Sequence, residues 1–242
     1  MTPKLLLQFL NQEGNILLAL SGDTPTPAAL ISLLVELDIH LPQERTSAVL
    51  DHFNYDTASA PDQHDILLLS SQASKRHNVR DYFDAQGLVA FPRAVGQELG
   101  VQSPLLTSIL RARDTAYIHN PTEDAEYAED PFAVGGQISL VSALQARNSA
   151  RFTVFGSAEA LEDQWFDAKV KEPQGNAVAS ANRAFARKVS AWTFQETGVL
   201  KVGRVEHRLS PRNSASVQNR SLELPLSASP STYRIKNDVV SR

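Results

Sequence analysis

Ser157 stands where an apolar run, Phe152-Thr153-Val154-Phe155, meets Gly156 and a helix-forming stretch. A serine on a strand-to-helix turn is how hydrolases raise a nucleophile above a sheet, and its motif is G-x-S-x-G, whose glycines relieve crowding on both sides. Here those two positions hold Phe155 and Glu159. A bulky ring and a carboxylate beside a developing alkoxide both oppose acyl transfer. A serine that caps the following helix needs only local geometry, with Glu159, Glu162 and Asp163 favourably placed near the helix's positive end. Ser157 is therefore expected to cap a helix. The alternative is a serine hydrolase or amidotransferase-like enzyme in which Ser157 is the nucleophile and a histidine such as His52 the base.

A second polar group, Asp51-His52-Phe53-Asn54-Tyr55-Asp56, follows an apolar run. Strand ends are where open α/β sheets place ligands. Asp51, His52 and Asp56 could bind a cation or move protons, yet the same residue types commonly close turns. The acidic run Glu123, Asp124, Glu126, Glu129 and Asp130 lacks the turn glycine of a calcium loop. No G-x-G-x-x-G, Walker A, H-E-x-x-H or paired zinc spacing occurs, so neither a cofactor nor a metal is expected. The chain has no cysteine, which removes thiolate nucleophiles and disulfides. Composition and motifs point to a non-catalytic domain.

These residues need elements to hold them. Leu5, Leu6, Phe9 and Leu10 are helically spaced, and Glu13-Gly14 is a plausible stop. A near-continuous apolar strand over 15–20 follows, then a helix over 28–37 with Leu30, Leu33, Leu34 and Leu37 on one face. Strands are predicted over 47–50, 65–69, 115–118, 138–144 and 152–155, with short apolar runs at 87–91 and 105–110. Residues 72–84 and 169–175 read as loops, and Arg147 to Arg151 as a polar turn. Ile138, Leu140 and Leu144 alternate with Val141 and Ala143, so both faces of that strand look buried, as in a central position. The clearest helix spans about 179–197, with Ala181, Phe185, Val189 and Trp192 in a stripe and Gly198 as its C′ residue. Residues 199–205 read as an extended segment leaving the domain. The fold class is α/β.

Beyond residue 208 the composition shifts. Residues 209–230 are rich in Ser, Pro, Asn and Arg, which is linker chemistry. Thr232 to Val240 alternates like a strand with no partner left to pair with, the start of a β-domain. Three parts result: 1–208, 209–230 and 231–242. A net charge of −4 over 242 residues argues against nucleic acid as a partner. The basic bias after residue 199 lacks the aromatic interleaving of a nucleic-acid surface. Neither a signal peptide nor a membrane span is legible in the sequence as it stands. Asn219-Arg220-Ser221 fits the N-glycosylation pattern, while Asn120-Pro121-Thr122 is excluded by its proline.

The most specific words sit around Ser157. GGQISLVSALQARNSAR (135–151), FGSAE (155–159) and LEDQWF (161–166) resemble the 48 kDa subunit family of the oligosaccharyltransferase complex, whose fungal branch is the wheat germ agglutinin-binding protein family. FLNQEGNILLALS (9–21), VLDHFNYD (49–56), WTFQETGVLKVGR (192–204) and YRIKNDV (233–239) agree in the same order. The resemblance implies an endoplasmic-reticulum membrane complex that transfers a dolichol-linked oligosaccharide to Asn in N-x-S/T sequons. It implies a non-catalytic structural subunit, with catalysis on another subunit and with the catalytic and ribophorin-like subunits as partners. It further implies a luminal, Rossmann-like or amidotransferase-like layered sheet with flanking helices, then β-domains and a C-terminal membrane helix. Family members begin with a signal peptide and a strand-helix-strand portion that this chain does not show, so an internal piece, incomplete at the N-terminus, is expected. A glycan-binding module, using Trp165 or Trp192, is a further reading that rests on fold context alone.

Overall fold

In the computed structural model the described residues are 2–43, 47–70, 80–101, 103–119, 131–199, 207–209 and 233–235. They divide into one unit over 1–197 and a second over 198–242. The first opens with α1 (Pro3–Asn11), β1 (Ile16–Ala19), α2 (Ala28–Glu36), β2 (Ile39–His40), β3 (Ala48–Leu50) and β4 (Ile66–Ser70). It continues with α3 (Arg80–Phe83), β5 (Leu88–Pro92), β6 (Gln97–Leu99), β7 (Leu106–Arg111) and β8 (Tyr117–His119). β9 (Ile138–Gln145), β10 (Arg151–Phe155), α4 (Asp163–Phe166), β11 (Lys169–Val170), β12 (Val178–Ala179) and α5 (Asn182–Thr193) complete it.

β9 is the centre of a six-stranded sheet. Seven of its eight residues are buried, as the two-faced apolar pattern predicts for a central strand. One edge pairs antiparallel with β10 over Arg151↔Gln145 to Phe155↔Val141. The other edge is shared by β6 and, past an irregular register, β7. β6 carries β2 beyond it. β1 lies parallel to β10, from Ile16↔Phe152 to Ala19↔Phe155. That is the one parallel pairing among the described strands. β4 with β5 and β3 with β8 form separate antiparallel pairs.

Alternation along β1 and β10 sorts the core. Ile16, Leu18, Phe152 and Val154 join Leu10 of α1 and Leu33 and Leu34 of α2. Leu17, Ala19 and Phe155 join Phe185, Val189 and Trp192 of α5. Helices therefore cover both sides of this pair, and the period-two pattern of the strands meets the helical stripes. Burial of side chains of this size contributes about 1.5–3 kcal/mol each, so the β1–β10 pair is held far more by its faces than by its ladder.

Several expectations are corrected. Residues 80–83 are helical rather than loop, because Phe83 turns inward against Trp192 with ring centroids 5.5 Å apart. Lys169 and Val170 pair with Val178–Ala179 instead of looping freely. The last helix runs over Asn182–Thr193, shorter than 179–197. Its left-handed terminal residue is Gln195 (φ 61), not Gly198. Gln195 N–H donates to Trp192 O, and Glu196 N–H to Ala191 O, the two bonds of a Schellman end. α1 stops the same way with Glu13 left-handed (φ 65), so Gly14 is one position past the residue that needs the unusual backbone. Arg151 is not part of a polar turn but the first residue of β10, and it is buried.

In the second unit, β13 (His207–Leu209) pairs antiparallel with β14 (Tyr233–Ile235). The terminal strand thus has a partner, which the sequence reading missed because three residues at the margin of a linker carry no visible alternation. The segment 210–232 and the extended stretch 200–206 lie outside the described residues.

Candidate functional site

Ser157 follows β10, beside the end of β1, where the two parallel strands stop. Its side chain is buried. The hydroxyl donates to Pro92 O at 2.6 Å and accepts from Ala160 N–H at 3.3 Å, closing the 3-10 turn Glu159–Leu161. The preceding glycine is demanded by contact. A Cβ on Gly156 would stand 2.6 Å from Leu140 O and 2.7 Å from Val95 O, both backbone atoms.

Beside this turn Arg93 holds an ion-pair hub. Its guanidinium lies 2.9 Å from Asp23 and 2.7 Å from Glu159, tying the ends of β1, β5 and β10 together. The hydrogen bond to Glu159 pushes the Arg93 pKa up. Arg93 itself sits at φ 43, a backbone angle that costs an ordinary side chain free energy. Nearby, burial pushes the Asp65 carboxyl above its ordinary value, while its own backbone and Arg93 pull the other way.

The 51–56 cluster divides in two. Asp51 is buried and accepts from Phe53 N–H, Asn54 N–H, the Asn54 amide and Thr115 Oγ1. Asp56, also buried, accepts from Ala58, Ser59 and Lys171 N–H. Both carboxylates are turn-closing acceptors, with lone pairs spent on backbone donors that would otherwise be orphaned. His52 takes a different course. Its ring is exposed, with Nε2 2.9 Å from Tyr117 Oη and Nδ1 turned to Nδ1 of His64. His64 lies against Tyr55, the rings tilted by 40° with centroids 4.0 Å apart. Ser157 and His52 thus have separate sets of polar partners. Among the described residues no three His, Cys, Asp or Glu side chains gather in a metal-holding group.

Both tryptophans are buried. Trp165 packs with Ile66, Leu68, Ala90 and Val170. Trp192 lies under the Arg151 guanidinium at 4.5 Å, and Arg151 donates to the carbonyls of Trp192, in the last turn of α5, and of Thr197, past its end. Asn219 and the acidic residues 123–130 lie outside the described residues. Sequence reasoning missed Arg93, Arg151, His64 and Tyr117. Each acts through a partner at least a dozen positions away, so no local spacing announces it.

Across residues 1–196 the chain matches the family described as OST48, N-terminal domain. The chain belongs to the OST48 family. Among its relatives, the dolichyl-diphosphooligosaccharide–protein glycosyltransferase subunit wbp1 of Schizosaccharomyces pombe is 32% identical over 99% of this chain and 49% of its own length. The 48 kDa subunit of the same enzyme from Drosophila melanogaster is 33% identical over 84% of this chain and 45% of its length. That of Danio rerio is 32% identical over 82% and 44%. This OST48 chain spans about half the length of the curated relatives it matches. In fold it is similar to the solved mmIFT52 N-terminal domain, with TM-score 0.52 over 79% of this chain and 69% of that one, at 16% identity.

Proposed function

We propose that this OST48 chain is part of a non-catalytic, structural subunit of an oligosaccharyltransferase complex, supporting transfer of dolichol-linked oligosaccharide to Asn of N-x-S/T sequons. The observation that carries the reading is the family match over 1–196, with relatives named as subunits of that glycosyltransferase. The geometry supports it. The Ser157 hydroxyl is buried and committed to Pro92 O, and the would-be base His52 faces His64 and Tyr117. Glycosyl transfer is then the work of another subunit, and the catalytic and ribophorin-like subunits are the partners. The place of action is the luminal face of the endoplasmic-reticulum membrane, reached through parts of the full-length subunit. We also infer an amidotransferase-like layering, supported by helices on both sides of the β1–β10 pair. In this reading 1–208 is the luminal α/β domain, and Asn219 is a sequon open to modification.

The test is replacement of the endogenous subunit by the tagged full-length gene. Expected are co-purification with the catalytic subunit and restored glycosylation of an N-x-S/T reporter. A tagged protein that neither enters the complex nor restores the reporter overturns the reading. Labelling of Ser157 by an activity-based serine probe would instead favour the enzyme.

A further inference from the structure

Two arginines stand four positions apart in Arg147-Asn148-Ser149-Ala150-Arg151 and meet different fates. Arg151 is buried, whereas Arg147 is exposed on the turn between β9 and β10. That turn is pinned. Ala146 N–H donates to Ala150 O, Ser149 N–H to Ala146 O, and the Asn148 amide reaches across to Leu10 O of α1 at 2.8 Å. The Arg147 side chain nevertheless makes no ion pair or hydrogen bond with any described residue.

Arg147 borders a surface cleft of about 480 Å³. The end of α2 forms another wall, where Val35 is 51% exposed on the outer side of a helix whose Leu33 and Leu34 face in. Glu36 beside it also pairs with no described cation. Asp38 follows in a left-handed backbone (φ 65), and its carbonyl accepts from Gly100 N–H at 2.9 Å, tying the helix end to the loop between β6 and β7. A Cβ on Gly100 would stand 1.9 Å from the Asp38 carboxylate, so glycine leaves the room that the carboxylate fills. One oxygen of that carboxylate, Oδ2, is out of solvent with no donor among the described residues, and Oδ1 lies 3.5 Å from His40 Nε2. A charge so placed is weakly screened. Pro104 and the 40% exposed Leu105 supply the remaining apolar wall.

Opposite charges thus share one cleft without pairing, on either side of an aliphatic patch. Small-molecule sites are mostly apolar and aromatic and enclose the ligand. Here four of the seven lining residues are polar or charged and none is aromatic, a mixture suited to a protein interface, where aliphatic contact and arginine meet a partner of complementary charge. A chain segment carries both signs on one backbone. We propose that this cleft docks a peptide segment of another subunit of the complex: its basic side chain sits on Glu36 and Asp38, an aliphatic one on Val35 and Leu105, and an acidic one on Arg147. The inference rests on the structural-subunit reading above and names where on this domain a partner is held.

The experiment uses the full-length subunit inside its assembled complex, with photoreactive benzoylphenylalanine at position 105 and the joined peptides sequenced by mass spectrometry. Expected is a cross-link to a different subunit, within a segment that carries Lys or Arg and Asp or Glu on either side of an aliphatic residue. Arg147→Glu should cut the yield roughly tenfold, and reversing the acid of the captured segment to arginine should restore it. Arg187→Glu, at an exposed cation on α5, should leave the yield unchanged. The charge-swap rescue is a gain that a merely damaged turn would not give, and the cross-link itself needs no change of charge. In a complex that contains the subunit, a cross-link to a second copy of this chain, to lipid or to nothing overturns the docking site alone, as does a yield unaltered by Arg147→Glu. A subunit missing from the complex overturns the functional reading, and this one with it.

Discussion

Replacing Ser157 with alanine separates a structural serine from a chemical one. In the folded chain the hydroxyl makes one short bond to Pro92 O and one long bond from Ala160 N–H, both out of solvent. Losing a buried hydrogen bond and stranding its acceptor costs about 1–3 kcal/mol, and losing a cap about 0.5–2. The Ala160 contact, at 3.3 Å, belongs at the low end of its range. A net loss of about 2 kcal/mol follows, which for a domain of this size lowers the melting temperature by roughly 4–8 °C. Differential scanning calorimetry of wild type and Ser157→Ala measures it directly. A melting temperature unchanged to within about 1 °C would show that the two bonds do not hold the turn. Serine-probe labelling abolished by the same substitution would move Ser157 from packing to chemistry.

Gly156→Ala should be harsher, about 3 kcal/mol, since the added Cβ meets two backbone carbonyls that cannot rotate away; urea denaturation reads the loss. Asp51→Ala strands Phe53 N–H, Asn54 N–H and the Thr115 hydroxyl and should cost about 2–4 kcal/mol. It should also scramble the His52 ring resonances by releasing the turn. Asp65 gives a pH signature. Its folded pKa is raised above the ordinary 3.8, so the folded state binds the proton more tightly and stability falls as pH climbs from the unfolded to the folded value. Asp65→Asn should therefore be more stable than wild type at neutral pH and equal to it in strong acid, which melts across a pH series will check.

The elements with strong periodicity were legible in the sequence. β9, buried on both faces, and the α5 stripe of Phe185, Val189 and Trp192 stand where alternation and helical spacing place them. What escaped was long-range in cause. Nothing local says that Arg151 is buried, because its partners are carbonyls about 40 residues later, exposed by the end of α5. Nor could spacing separate Asp51 from His52, adjacent in sequence but opposite in fate: the carboxylate turns in to backbone donors, the ring turns out to His64. Helix ends misled for another reason. Searching for glycine at C′ finds Gly14 and Gly198, while the chain places Glu13 and Gln195 in the left-handed position, where the backbone bonds of each helix end hold them.

The parallel pairing of β1 with β10 also has a meaning in time. Ile16 meets Phe152, 136 residues later in the chain. At about 5–20 residues per second of synthesis, the ribosome has made β1 roughly 7–27 seconds before its partner exists. Through that interval the Ile16-Leu17-Leu18-Ala19 run is an apolar segment with no sheet to join. The half-made chain must be sheltered by whatever receives it, and the last strand of the six-stranded sheet to emerge is the one that lets its first become structure.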